Sequence, residues 1–277
     1  MGSDLIKSSR LFGGEQQIRR HRSAVLSCEM TFAVYLPPAA LSGGDCPVLL
    51  YLSGLTCTEQ NVTAKAGAQR YCAEHGLILL APDTSPRGED VADDDGWDLG
   101  KGAGFYLTAT QAPWSAHYRM DQYILTELIP ELSAFTKSQR IGVTGHSMGG
   151  HGAIVLALRS PGVFSSVSAL APILQPSTVP WGIKAFTTYL GPDPSSWAEW
   201  DSTALIPGAS ERLPILIDQG DADGFLAEQL HSDRFLAACA AAEHPVTYRL
   251  QPGYDHSYDF VATFIGEHVA WHAAALR

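Results

Sequence analysis

A serine flanked by glycines, Gly145-His146-Ser147-Met148-Gly149, follows the apolar run Ile141–Val143 and precedes an Ala/Leu-rich stretch from about Gly150. A bare GxSxG is a weak signal. Strand, sharp turn and helix in that order are what a nucleophile elbow needs. Glycines let the turn lift the hydroxyl off the sheet edge, and the helix N-terminus behind it favours the negative charge of acyl transfer. Such a serine needs a base, and the base an acid, and in this arrangement both come later in the chain, the histidine last. The run Ile215–Gln219 ends in Gly220-Asp221-Ala222-Asp223, and Val246–Leu250 is followed by Gly253-Tyr254-Asp255-His256-Ser257. Of ten histidines, His256 alone lies after the acid, after a strand and in a glycine-containing loop. Asp223 is preferred to Asp221 as the acid that orients it. Asp218 falls within the strand and Asp255 adjoins the base, so neither is well placed to reach the far ring nitrogen.

The tetrahedral oxyanion of acyl transfer needs donors. One is the backbone N–H of Met148, the residue after the nucleophile. The other is expected from the loop after Val48–Leu52, Ser53-Gly54-Leu55-Thr56-Cys57, in which Gly54 would turn the Leu55 N–H into the site. Losing one such donor typically costs about 100- to 1000-fold in rate. Cys57, two residues on, is either a pocket thiol open to oxidation or a small buried apolar residue. Trp97, Trp181, His146 and Phe225 are further candidate pocket residues. His268 and His272 stand four apart but lack an HExxH pattern or a third ligand, so no metal site is expected there. The acidic run Asp90, Asp93, Asp94 and Asp95 lacks an EF-hand pattern and reads as a solvated loop.

The elements that must carry these residues alternate along the chain. Met30, Phe32, Val34 and Leu36 alternate with Thr31, Ala33 and Tyr35, the period of a strand, which Pro37-Pro38 ends. The N-terminal part therefore reads as antiparallel strands. Buried strands are expected at Val48–Leu52, Leu77–Ala81, Ile141–Gly145, Ser165–Leu170, Ile215–Gln219 and Val246–Leu250. Helices are expected at Ala64–His75, Met120–Phe135, His151–Arg159, Ala227–Ala242 and Tyr258–Ala275. This alternation implies an α/β fold, a mostly parallel central sheet covered by helices on both faces. The Pro-, Gly- and Trp-rich stretch Pro172–Leu213 breaks the rhythm and reads as an insertion at the carboxyl edge, a lid or pocket wall.

The chain has 277 residues, ordinary for one large α/β domain. Its 45% hydrophobic content supplies a core, and 17% charged residues argue against disorder. A net charge of −11 disfavours nucleic acid or an anionic membrane surface as partner. Five scattered cysteines fit reduced thiols better than a disulfide framework. With no secretory h-region near Met1 and no apolar run of membrane-spanning length, the expected location is the cytoplasm.

Several blocks resemble the S-formylglutathione hydrolase (esterase D) family of α/β-hydrolases. They are Ser53-Gly54-Leu55-Thr56-Cys57-Thr58-Glu59-Gln60-Asn61, Ala81-Pro82-Asp83-Thr84-Ser85-Pro86-Arg87-Gly88, Gly96 to Tyr106, Gly145 to Gly152, Pro180 to Phe186 and Gly253 to Tyr258. The resemblance runs from about Met30 to the C-terminus. It implies a cytosolic thioesterase that hydrolyses S-formylglutathione to glutathione and formate in formaldehyde detoxification. It also implies activity on small acyl esters, no metal or organic cofactor, and a homodimer. The family's triad falls on Ser147, Asp223 and His256, and its oxyanion donors on Leu55 and Met148. One departure is Gly220-Asp221-Ala222-Asp223-Gly224-Phe225, where members often read Gly-Lys-Asp-Asp-Gln-Phe. The second carboxylate of the pair is kept as Asp223, while Asp221 stands in place of a lysine. Lys65, Arg87, Lys101 and Lys184 are the candidates for meeting glutathione carboxylates, with Lys101 assigned to the pocket. The competing readings are a broad small-acyl carboxylesterase and a non-catalytic hydrolase-like scaffold. The complete Ser–Asp–His order argues against the scaffold.

Overall fold

The computed structural model describes residues 2–277. Its frame is a nine-stranded sheet: β1 (Asp4–Leu11), β2 (Gly14–Arg22), β3 (Glu29–Leu36), β4 (Val48–Leu52), β5 (Ile78–Pro82), β6 (Ile141–Gly145), β7 (Ser166–Leu170), β8 (Ile215–Gly220) and β9 (Val246–Gln251). The spatial order is β1-β2-β3-β5-β4-β6-β7-β8-β9. The first three strands pair antiparallel and β3 joins β5 antiparallel; from β5 to β9 every pairing is parallel. Every residue of β4 through β8 is buried. That is why these strands read as continuous apolar runs: a parallel sheet is covered on both faces.

Helices of seven residues or more are α1 (Glu59–Lys65), α2 (Ala68–His75), α3 (Met148–Arg159), α4 (Pro180–Leu190), α5 (Ser232–Ala241) and α6 (Tyr258–Ala275). Three expected helices are interrupted. The expected helix 64–75 is two, because Gly67 takes a left-handed φ of 66° between them. The stretch 120–134 runs through α, π and 3-10 turns, with Pro130 withholding a backbone donor inside it. The expected helix 227–242 is a π turn and then α5, split at His231 with φ 48°. The insertion 172–213 holds α4 and several short helical turns.

The chain goes from β4 through α1 and α2 to β5 on one side, and from β6 through α3 to β7 on the other. Crossovers that leave in opposite directions open a crevice at the carboxyl ends of the strands between them. The loops after β4 and β6 meet there: a Cβ on Gly54 would lie 3.1 Å from the Ser147 Cβ.

Candidate active site

Ser147 stands between β6 and α3 with φ 58° and ψ −120°, a conformation that non-glycine residues rarely adopt. The turn is held by hydrogen bonds on both sides. Ser147 N–H donates to the Leu170 carbonyl at 2.9 Å, Gly149 N–H to His146 at 2.8 Å and His151 N–H to Ser147 at 3.0 Å. The flanking glycines are required by contact. A Cβ on Gly145 would lie 2.3 Å from the Gly149 carbonyl oxygen, and one on Gly149 only 1.9 Å from that of Leu52. The elbow therefore packs directly on the end of β4 and presents the hydroxyl at the crevice.

Asp223, in the loop after β8, is buried and its Oδ2 accepts from His256 Nδ1 at 2.6 Å. The same oxygen accepts from the Gln219 amide at 2.9 Å, and Oδ1 accepts from Phe225 N–H at 2.9 Å. Burial alone would raise this carboxyl. The His256 bond and charge, with the other donors, outweigh it and hold Asp223 below the usual carboxylate range. The alternatives are occupied elsewhere. Asp221 is exposed and accepts from Gly253 N–H at 2.6 Å. Asp255 takes Ser257 N–H at 2.9 Å. Asp218 is held by Arg249, by Gln251 at 2.7 Å and by His268 at 2.9 Å.

Ser147 and His256 line one pocket of about 270 Å³, together with His146, Gly54 to Cys57, Asn61, Lys65, Trp97, Trp181, Phe225, Ser257 and Tyr258. No hydrogen bond joins the serine hydroxyl to the ring in this structure, and such bonds often tighten only when substrate docks. Neither the Leu55 nor the Met148 N–H is taken by a backbone carbonyl among the described residues, so both remain free to donate. The β4–α1 loop that carries Leu55 is pinned from behind. The Cys57 carbonyl accepts from Thr84 Oγ1 at 2.6 Å and from the Arg87 guanidinium at 3.2 Å, while Arg87 is paired with buried Asp83 at 2.8 Å.

One wall of the pocket is aromatic. Trp97 meets Trp181 edge-on at 5.5 Å, Trp181 meets Phe225 at 4.7 Å, and Phe225 meets the His256 ring at 5.1 Å. The His146 ring lies 4.6 Å from that of His256, and burial pushes its pKa well down, so it is neutral. Cys57 is a free, buried thiol, raised above the ordinary cysteine value by that burial.

Lys101 is a correction: it does not line the pocket but pairs with Asp93 at 3.6 Å. Lys184 pairs with Asp98 at 2.5 Å and Asp94 at 3.6 Å. Of the four basic candidates, Lys65 alone lines the pocket. The acidic loop is knit by its own backbone, with Asp93 Oδ1 accepting from Asp94 and Lys101 N–H groups. Asn61, Tyr258 and Gln219 were missed as site residues. Asn61 had a local signal, its place three residues after Thr58 in a capping box, but that signal speaks of a helix start and not of a pocket.

A second Ser–His–Asp set lies under α6. His268 Nδ1 bonds Ser168 Oγ at 2.8 Å and His268 Nε2 bonds Asp218 at 2.9 Å; His272 bonds Ser168 at 2.8 Å and Ser166 at 2.6 Å. All of these residues are buried, so no substrate reaches them. They tie α6 to β7 and β8. Among the described residues no group of three or more His, Cys, Asp or Glu is arranged to hold a metal ion, and no helix is long and apolar enough to cross a membrane.

Residues 23–271 match the Esterase family model. The chain is 53% identical to the S-formylglutathione hydrolase of Mus musculus, over 98% of each chain. Among solved structures it is similar to an S-formylglutathione hydrolase from Agrobacterium tumefaciens, 45% identical, with all of both chains covered and a TM-score of 0.96. The fluorophosphonate-binding serine hydrolase FphF of Staphylococcus aureus, 20% identical over 94% of this chain and 98% of its own, shares the fold with a TM-score of 0.74. The chain belongs to the Esterase family of α/β-hydrolases, and within it to the S-formylglutathione hydrolases.

Proposed function

We propose that this chain is a serine thioesterase that hydrolyses S-formylglutathione to glutathione and formate, a step of formaldehyde detoxification, through a formyl-Ser147 intermediate. The observation that carries the reading is the 2.6 Å bond from His256 to buried Asp223 in the loop beside a strained Ser147. The near full-length likeness to S-formylglutathione hydrolases supports the substrate.

In this mechanism Asp223, kept ionised by its donors, holds His256 with its Nδ1–H turned inward, so the other ring nitrogen faces the serine as a base. His256 takes the Ser147 proton as the hydroxyl attacks the formyl carbon. The Leu55 and Met148 N–H groups receive the oxyanion. The carbon–sulfur bond breaks, and the departing thiolate takes the proton from His256 and leaves as the thiol, which returns the ring to its neutral form. Water then attacks the formyl ester, giving its proton to His256, and formate departs as Ser147 regains its hydrogen. A thiolate leaves readily, so positioning and oxyanion stabilisation matter more than acid catalysis. The insertion 172–213 acts here as a pocket wall, because Trp181 is the part of it that lines the pocket. The working domain is the single α/β unit, active in the cytoplasm as a homodimer.

The test is kcat/KM for S-formylglutathione beside S-acetylglutathione and a short-chain aryl ester. A preference of about 100-fold or more for the formyl thioester, about 2.7 kcal/mol in the transition state, supports the reading. Equal or better turnover of the aryl ester makes the protein a broad small-acyl carboxylesterase using the same triad.

A further inference from the structure

Two side chains of the pocket play no part in the chemistry above. Asn61 and Lys65 stand four residues apart on α1, hence on one helix face, and both line the pocket that Ser147 and His256 share. The same pocket is lined by the contacting aromatic rings of Trp97, Trp181 and Phe225. The pocket thus combines π surface with hydrogen-bond donors.

The donors are available. Asn61 Oδ1 accepts from Thr58 N–H at 3.0 Å, which fixes the amide and leaves its NH2 group without a protein acceptor among the described residues. Lys65 Nζ lies 5.6 Å from the centre of the Tyr258 ring, and it has no ion-pair partner among the described residues. The other basic candidates are paired: Arg87 with Asp83, Lys101 with Asp93, Lys184 with Asp98. In a chain of net charge −11, an anionic substrate is repelled by the protein as a whole, so an unpaired ammonium at the pocket carries the local attraction.

We propose that Lys65 and Asn61 form a carboxylate-binding subsite that selects anionic acyl thioesters, by gripping a carboxylate of the thiol carrier while its acyl carbon sits at Ser147. The inference rests on the thioesterase reading and adds to it the residues that tell a charged carrier from a neutral ester.

The experiment compares the wild type with Lys65→Gln, Lys65→Glu and Asn61→Asp, the last of which keeps the cap to Thr58 while replacing donors with charge. Each is assayed with S-formylglutathione, with S-acetylglutathione and its carboxyl diester read by thiol release, and with a neutral aryl acetate. Lys65→Gln should raise KM for both free-acid thioesters about 5- to 10-fold with kcat nearly unchanged, and Lys65→Glu and Asn61→Asp should raise it further. The aryl acetate should be turned over within about 2-fold of wild type. Esterifying the carrier should cost the wild type a similar factor and Lys65→Gln almost nothing. Unchanged KM in both Lys65 variants overturns the subsite. Parallel loss of aryl acetate turnover also overturns it, since that would mark a structural role. Failure of the wild type on S-formylglutathione while the aryl ester is cleaved strikes the thioesterase reading itself, and the subsite with it.

Discussion

Asp218, within β8, and Asp223, in the loop that follows it, accept from different histidines, His268 at 2.9 Å and His256 at 2.6 Å. Only the second pair reaches the pocket. Asp223→Asn should lower kcat on an aryl ester by about 1000-fold or more with a near-native melting temperature, because the ring loses its orienting charge. Asp221→Asn should stay within about 2-fold. Asp218→Asn should act on stability instead, costing about 2 to 4 kcal/mol, since Arg249 and His268 lose their shared partner. Steady-state kinetics and urea unfolding of the three variants separate these roles. A loss in Asp221→Asn equal to that in Asp223→Asn would reassign the acid.

Gly54 faces the elbow so closely that one methyl group tests the oxyanion loop. A Cβ there would lie 3.1 Å from the Ser147 Cβ and 3.2 Å from the His146 carbonyl oxygen, so the loop must shift by a few tenths of an ångström. Gly54→Ala should reduce kcat about 10-fold or more with little change in folding, because a small displacement of the Leu55 donor weakens oxyanion binding. Gly149→Ala, with its Cβ 1.9 Å from the Leu52 carbonyl oxygen, should fail to fold stably. Thermal melts alongside initial rates decide it. Full activity in Gly54→Ala would place the second donor elsewhere.

Buried histidines should make the protein acid-sensitive above the carboxylate range. Burial pushes His151 down to about 4 and His272 to about 3. An unfolded chain binds those protons near pH 6.5, whereas the native state does not. The stability contribution is therefore whole above about pH 6.5 and is lost as pH falls toward the folded values. Between pH 7 and pH 5 the two groups together should cost about 2 to 4 kcal/mol. Urea unfolding at both pH values measures this. Equal stability at pH 5 would mean that the two rings take up protons in place.

Cys57 lines the pocket, yet burial raises its thiol, so the nucleophilic thiolate is scarce. Alkylation of native protein by iodoacetamide at pH 7.5 should be slower at Cys57 than at free glutathione by about 10-fold or more. Mass mapping of the modified cysteine over time checks it. Labelling as fast as free thiol would restore the oxidation-sensitive reading.

Much of the fold was legible because it is written in local periods. Apolar runs marked β4 through β8, and GxSxG between strand and helix marked the elbow. Val246–Leu250, expected as a buried strand, is instead the edge strand β9 with no fully buried residue, since it has a neighbour on one side alone. The chain order of acid and histidine then narrowed the base to His256 and the acid to Asp223 or Asp221, with Asp223 preferred. Helix interruptions at Gly67 and His231 were harder to see, since a left-handed residue inside an otherwise helical pattern breaks it without breaking its hydrophobicity.

What the sequence by itself determined is the sheet, the elbow and the order of the chemistry, because each follows from residue type at short range. Which carboxylate meets which histidine was settled by tertiary structure, through the separate burial of Asp218 beneath α6 and of Asp223 beside His256. The same holds for the cations. Lys65, Lys101 and Lys184 are alike as residues, and only the folding of the acidic loop onto two of them, with α1 setting the third at the pocket, tells them apart. Charge pairing and pocket membership join residues distant along the chain, and no local period records them.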